Sequence, residues 1–294
     1  MGKDTVCIEY ISGGNTMSQM LNTSLAEFQQ YLKQEEKSQA TLEKYLRDVR
    51  CFFAFLQDRE ICKNETIAYK EYLSQNYAPA SVNSMLVALN IFLRFMGMQN
   101  YCVKLLKIQR QIFCGEEKEL TQQEYRRLVK AAHGTRLSYI IQTLCGTGIR
   151  VSELKYITVE AVCEGKAIVN CKNKTRIIFI PASLQKILKE YVKKNGLHTG
   201  AVFVGKNGKP LDRSFIWRQM KSLCQKARVS PDKVYPHNLR HLFARTFYSI
   251  EKDIVRLADL LGHSSINTTR IYTMETGNQH LNRLERVQQI LIVT

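Results

Sequence analysis

The sequence predicts a mainly α-helical protein with a small β component: an N-terminal helical bundle followed by a mixed α/β domain. Three observations carry that expectation. Apolar residues recur at three- and four-residue spacing from Ser18 to about Leu106. A polar stretch without that period, KIQRQIFCGEEKE at 107–119, then breaks the pattern. Beyond it, helical stretches alternate with short runs rich in β-branched residues. The 294 residues suit one large domain or two ordinary ones. The boundaries fall at 18–107 and 120–294, with a linker at 108–119.

In the first part, Leu42, Leu46, Val49, Phe52, Phe53 and Leu56 form one apolar helical stripe. Lys44, Arg47 and Arg50 lie largely outside it and make a basic rim. Ser38 or Thr41 can cap the helix, because a hydroxyl satisfies a free backbone N–H there. A second helix over about 80–96 carries Val82, Met85, Leu86, Leu89, Phe92 and Phe95, with Pro79 at its entry and Gly97 at its end.

Thr121 with Glu124 reads as a capping box opening the second part. Helices are expected near 121–133, 136–147 and 150–157. Two strands, Ala167–Cys171 and Arg176–Ile180, are separated by Lys172 to Thr175 and should form a hairpin. A helix near 183–194, a strand at Ala201–Val204 and a turn at Asn207-Gly208 follow. Helices are expected again at 213–227, 237–249, 252–261 and 265–275. The tail, with Leu281, Leu284, Val287, Ile290, Leu291 and Ile292, is too apolar for a solvated end. It is expected to dock on a neighbouring subunit, its own domain being the plainer alternative.

Charge narrows the function. Lys and Arg number 43 against 26 Asp and Glu, a formal net charge of +17. That excess favours a polyanion such as nucleic acid, because phosphate contacts release condensed counterions. The nine cysteines are scattered, with no Cys-x-x-Cys pair. Neither zinc ligation nor a disulfide framework is indicated, which fits a reducing cytoplasm. The N-terminus does not read as a secretory signal. No run reaches the ~18 apolar residues of a membrane span.

Four fragments carry chemistry. They are Gly146-Thr147-Gly148-Ile149-Arg150-Val151-Ser152-Glu153-Leu154, then Lys172, then His237-Asn238-Leu239-Arg240-His241, then Leu261-Gly262-His263 with Tyr272 nine residues on. Each alone has a bland explanation: a turn, a solvated cation, an i,i+4 histidine pair, a tyrosine on a helix rim. Together they make a metal-free set for a phosphodiester. Arginine forks pair with the non-bridging oxygens, where charge builds in the transition state. Tyrosine can be the nucleophile, but its reference pKa of about 10 demands a base or nearby positive charge.

This set, in this order, resembles the tyrosine recombinase (phage integrase) family, and within it the short two-domain Xer-like members. TGIRVSEL is similar to the family's first-Arg box, PHNLRHLFA to its His-x-x-Arg-His box, and LGHSSINTTRIYT to its Leu-Gly-His box with the nucleophilic tyrosine. ASVNSMLVALNIFLRFM resembles a helix of the N-terminal domain. The resemblance implies a SAM-like N-terminal bundle that binds core DNA and a catalytic domain of the tyrosine recombinase type.

It also implies roles. Arg150 and Arg240 would bind the scissile phosphate. His237 would be general base or proton shuttle, His263 would hydrogen-bond the phosphate, and Tyr272 would form the 3′-phosphotyrosine link. Glu153 would orient Arg150, and His241 would hold a structural hydrogen bond. Lys172 would be the general acid for the leaving 5′ oxygen. The hairpin is one residue shorter than the family's Gly-Lys-Gly-Asn-Lys-x-Arg, which leaves Lys174 as a rival. Lys174 or Arg176 could instead contact the DNA backbone, as could Lys44, Arg47 and Arg50.

The implied partner is a double-stranded DNA recombination site, gripped by a homotetramer, with no metal, nucleotide or other cofactor and no membrane. The implied task is integration, excision or inversion of DNA, as in mobile elements. Two other classes compete: a type IB topoisomerase-like relaxing enzyme, and a non-catalytic DNA-binding protein on the same fold.

Overall fold

The computed structural model describes residues 16–57, 59–108, 119–171, 174–205, 207–263 and 265–272. The chain divides into two compact units, 1–110 and 111–294.

The first unit is all helical: α1 (Thr16–Gln34), α2 (Gln39–Leu56), α3 (Lys63–Asn76) and α4 (Pro79–Phe95). Ser38 is the N-cap of α2 and accepts from the Thr41 backbone N–H. Pro79 opens α4, where its missing N–H costs nothing. Gly97 follows α4 at φ +74°, a conformation that favours glycine. The predicted stripes are the core. Phe52, Leu56, Leu86, Leu89 and Leu93 pack around Tyr69 and Leu73 of α3, while Leu42, Leu46, Val49 and Phe92 enclose Phe28 and Leu32 of α1. Each fully buried side chain of this kind contributes roughly 1.5–3 kcal/mol of transfer free energy.

Two polar residues of α4 sit on that inner side and hold a segment in place. Asn90 donates to the carbonyl of Val103 at 2.8 Å and accepts from its N–H at 2.9 Å. Asn83, two turns earlier, does the same to Leu106, at 2.9 and 2.7 Å. An amide side chain has the donor and acceptor needed to imitate a strand partner. The segment after α4 is thereby clamped without being a strand.

The second unit begins with α5 (Gln122–Ala131), α6 (Arg136–Thr147), a 3-10 turn at Val151–Tyr156 and α7 (Val159–Glu164). The capping box of Thr121 and Glu124 is formed. Strands β1 (Lys166–Cys171) and β2 (Lys174–Phe179) pair antiparallel, Val169 facing Arg176 and Cys171 facing Lys174. Then come α8 (Ala182–Lys194), α9 (Arg213–Ser222), α10 (Cys224–Ala227), α11 (Pro236–Glu251), α12 (Ile254–Leu261), α13 (Ile266–Thr269) and a 3-10 turn at Arg270–Tyr272. Ile140, Ile141 and Leu144 of α6 are fully buried in a core that includes Leu188, Ile216 and Leu239.

Several expectations are corrected. The helix at 150–157 is a 3-10 turn, because the Glu153 carboxylate takes the Arg150 backbone N–H and closes a tight first turn. Helix α7 was missed; it is only six residues long, too short for its period to register. The helix at 213–227 is two helices, ended at Arg228 in the left-handed conformation. Ala201–Val204 is no strand: Ala201 bridges Thr158 and Val204 bridges Pro210, so its ends find different partners. Strand β2 begins at Lys174, not Arg176, since Thr175 pairs with Asn170. The 265–275 helix tightens to 3-10 by Arg270. Lys172 and the tail with Leu281 to Ile292 lie outside the described residues.

Gly148 ends α6 at φ +65°, where a Cβ would lie 2.3 Å from the Phe243 ring. The glycine therefore lets α11 approach α6 closely, and its carbonyl accepts from Arg240 of α11.

Candidate active site

The second unit gathers its cations around one carboxylate. Glu153 is 1% exposed. Its carboxylate accepts from the Arg150 backbone N–H at 2.8 Å, from Arg150 Nη1 at 3.1 Å and from Arg176 Nη2 at 2.6 Å. Burial pushes this carboxyl up, but the Arg150 N–H and the two guanidinium groups outweigh it and hold its pKa below the usual carboxylate range. Glu153 is therefore an anion that fixes Arg150, whose side chain stays 43% exposed and open to a ligand.

Arg240 is the opposite case, 1% exposed in the first turns of α11. Its Nη1 donates to the Gly148 carbonyl at 2.7 Å. Its Nη2 donates to the Leu261 carbonyl at 2.8 Å and lies 2.9 Å from His263 Nε2. Its Nε is buried and has no hydrogen-bond partner among the described residues. Burial, then the neighbouring Arg150, lower its pKa to about 10, and the nearby Tyr272 phenol pulls against that shift. The guanidinium stays charged at neutral pH, with its Nε–H unspent. Arg150 and Arg176 share the one carboxylate of Glu153, while the nearby Arg240 is held by two backbone carbonyls and His263. That imbalance favours an incoming anion.

An arginine cannot accept, so His263 Nε2 must be the acceptor and Nδ1 carries the proton. Nδ1 donates to Thr269 Oγ1 at 2.8 Å, and Thr269 is fully buried. Burial, followed by the cations of Arg240, Arg150 and Arg176, lowers the His263 pKa to about 4. The ring is neutral at pH 7.

Tyr272 is 3% exposed and packs on Ala244, Leu257 and Leu261. His263 stacks on its ring at 5.9 Å and 15°. His241 meets it edge-on, at 4.7 Å and 84°. His237 lies one ring further out, 4.7 Å from His241. Its residue surface is open, yet the protein packed around its ring, and then Arg240, Arg150 and Arg213, lower its pKa below that of an ordinary imidazole. His241 falls to about 4, chiefly through burial. No group of three His, Cys, Asp or Glu converges as a metal site among the described residues.

The sequence-named residues Arg150, Glu153, His237, Arg240, His263 and Tyr272 therefore meet in one place. Arg176 joins them from within: it is 14% exposed, with Nη1 donating to the Leu260 carbonyl and Nη2 spent on Glu153. Its alternation with buried Ile178 on β2 was the signal for an inward side chain. Arg213, at the start of α9, and Thr269 were not singled out; neither belongs to a recognisable pattern. Lys172 lies outside the described residues, and Lys174 opens β2. In the first unit, Lys44 is paired with buried Asp48 and also donates to the Ser84 carbonyl. Arg47 keeps 69% of its side chain exposed, and Arg50 is exposed.

Residues 118–279 match the phage integrase family, and residues 25–100 match the phage integrase N-terminal SAM-like domain. The chain is similar to tyrosine recombinase XerA of Pyrococcus furiosus, 30% identical over 274 residues, covering 89% of this chain and 93% of that protein. It is similar to tyrosine recombinase XerC of Lactobacillus delbrueckii subsp. bulgaricus, 28% identical over 281 residues, covering 87% and 95%. Among solved structures it is similar to XerA recombinase, at 27% identity and TM-score 0.50, covering 93% of this chain and 99% of that one. In fold it is similar to a lambda integrase dimer bound to a COC′ core site, at 19% identity and TM-score 0.70, covering 87% and 96%.

The buried imidazoles set a pH dependence. His241 and His263 are held near pKa 4 in the fold, against 6.5 ordinarily. Between those values the unfolded chain binds protons that the folded chain refuses, so stability falls as pH falls from about 6.5 to about 4. Thermal melting across that window should show the loss, and His263→Asn with His241→Asn should flatten it. An unchanged slope in the double variant would sink the assignment.

Proposed function

The chain belongs to the phage integrase family and is a tyrosine site-specific recombinase, and on that premise we propose that Tyr272 is the nucleophile of a site built by Arg150, Arg240, His237 and His263. The observation that carries this reading is the seating of Tyr272 between two imidazoles, one of them bonded to the buried Arg240. The Tyr272 Oη attacks a phosphate of a double-stranded DNA site. A 3′-phosphotyrosine bond forms, the bond to the 5′ oxygen breaks, and the phenolic proton passes to His237 as base or shuttle.

Arg150 and the unspent donor of Arg240 take the non-bridging oxygens. To hydrogen-bond the phosphate, neutral His263 takes its other tautomer: Nδ1 accepts from the Thr269 hydroxyl and Nε2–H, released from Arg240, donates to a phosphate oxygen. Lys172 gives the 5′ oxygen its proton, with Lys174 as the alternative. Phosphate bond energy is conserved in the protein link, so rejoining needs no nucleotide cofactor. The named relatives are recombinases, which favours strand exchange over relaxation of one duplex. Integration, excision or inversion of DNA is the task this chemistry serves. The free thiols among the described residues support a reducing, cytoplasmic setting.

One assay tests the chemistry. DNA trapped covalently by the wild-type protein is sequenced, and the recovered site is remade as a nicked duplex. Tyr272→Phe should bind it and form no adduct; an adduct in that variant removes Tyr272 as nucleophile. Lys172→Ala should cleave slowly, and recover when the leaving 5′ oxygen is replaced by sulfur, which departs without a proton. Recovery in Lys174→Ala instead would move the role to Lys174.

Residues 18–107 serve as the core-DNA-binding domain and 120–294 as the catalytic domain. Arg50 offers an exposed cation to the DNA backbone, and Arg47 and Lys44 offer what remains of charges already shared with Asp48. Replacing Arg47 or Arg50 by Ala should weaken binding to all sequences and reduce the salt slope by about one; an unchanged slope would exclude the contact.

Two duplexes exchanging strands need four sites, so the working form is a homotetramer on DNA. The segment 278–294 is assigned to docking on a neighbouring subunit. Crosslinking a 278–294 deletion on DNA should give fewer tetramers, and undiminished tetramers would refute that role.

A further inference from the structure

We propose that Arg176 is a positioning residue for strand cleavage: from β2 it fastens the turn that carries Arg150 to the turn that carries His263. The inference rests on the active-site reading above and departs from Arg176 as a DNA contact.

Its two arms reach two different motifs. Nη2 donates to Glu153 Oε2 at 2.6 Å, and that same oxygen accepts the Arg150 backbone N–H at 2.8 Å. Nη1 donates to the Leu260 carbonyl, at the end of α12. Helix-terminal carbonyls lack intrahelical partners and favour cations. Arg240 takes the next carbonyl, Leu261, at 2.8 Å, and also lies 2.9 Å from His263. Successive carbonyls of one helix end are thus held by two arginines, one from β2 and one from α11.

The approach is close. A Cβ at Gly262 would lie 2.5 Å from Arg176 Cδ and 2.9 Å from its Nε. The glycine, at φ +64°, lets the Arg176 side chain lie against the backbone just before His263. Arg176 is 14% exposed and both terminal nitrogens are engaged inside the protein. Such a side chain is poorly placed to bind a backbone phosphate. It is well placed to fix the distance between the Arg150 guanidinium and the Arg240–His263 pair. It also sits on the strand that follows Lys172 and Asn173, so the hairpin is registered to the same frame.

A planar fork can serve two acceptors in different directions, whereas an ammonium on a flexible stem is a point charge. Arg176→Lys therefore separates charge from geometry. The probe is the nicked duplex made from the site trapped by the wild-type protein. Affinity, its salt slope, the single-turnover adduct rate at saturating protein and the melting temperature are measured for the wild type, Arg176→Ala and Arg176→Lys.

Both variants should bind with near wild-type affinity and salt slope. Both should form adduct more slowly, by on the order of 100-fold for Arg176→Ala, since small misplacements of catalytic groups have effects of that size. Arg176→Lys should not restore the rate. Normal adduct formation at saturation, with affinity and salt slope reduced, would make Arg176 a DNA contact and overturn the proposal. A lowered melting temperature with a normal rate below it would reduce Arg176 to a stabilising residue and overturn it equally. Should Arg176→Ala fail to fold, Arg176→Lys, which keeps the charge, decides the matter. Absence of adduct in the wild-type protein would strike the active-site reading itself, a result distinct from any of these.

Discussion

A guanidinium taken almost wholly out of water organises the second unit. Arg240, at 1% exposure, must find hydrogen-bond acceptors inside the protein, because an unpaired buried charge costs several kcal/mol. It finds them at the ends of two helices, the Gly148 carbonyl after α6 and the Leu261 carbonyl of α12. Much of the surrounding architecture follows. Gly148 must be small for α11 to approach, α12 must end where it does, and His263 must be neutral to stand beside a cation. The same demand brings Tyr272 close, since its ring packs on Leu257 and Leu261 of α12 and on Ala244 of α11.

Glu153 is the counterpart. It balances one of three arginines and leaves the group short of negative charge. A site that is electrostatically incomplete without an anion is prepared for one in advance. The histidines add no further cations at neutral pH, because burial has already driven His241 and His263 to the neutral form. Positive charge in the group is therefore carried by the arginines, while the buried imidazoles of His241 and His263 are neutral.

Much of this was legible in the sequence. Period and capping located α2 and α4, and the box at Thr121 and Glu124 located the start of α5, because these signals are local. The motif order gave Arg150, His237, Arg240, His263 and Tyr272 before any geometry was known. What escaped was decided by tertiary partners. The turn after Arg150 tightened to 3-10 because Glu153 folds back on it. Ala201–Val204 has the composition of a strand but no continuous neighbour. Arg176 looked like a solvent-facing cation, and only its parity with Ile178 hinted at an inward course. His241 is the subtler case: its place between His237 and Tyr272 follows from two helical turns that no spacing rule distinguishes from packing.

The paired amides of α4 have a consequence for motion. Asn83 and Asn90 grip Leu106 and Val103 by both backbone groups, as a mount grips a rod. The backbone after α4 is therefore held to the bundle as far as Leu106. An insertion beyond that residue changes reach and leaves the direction of departure alone.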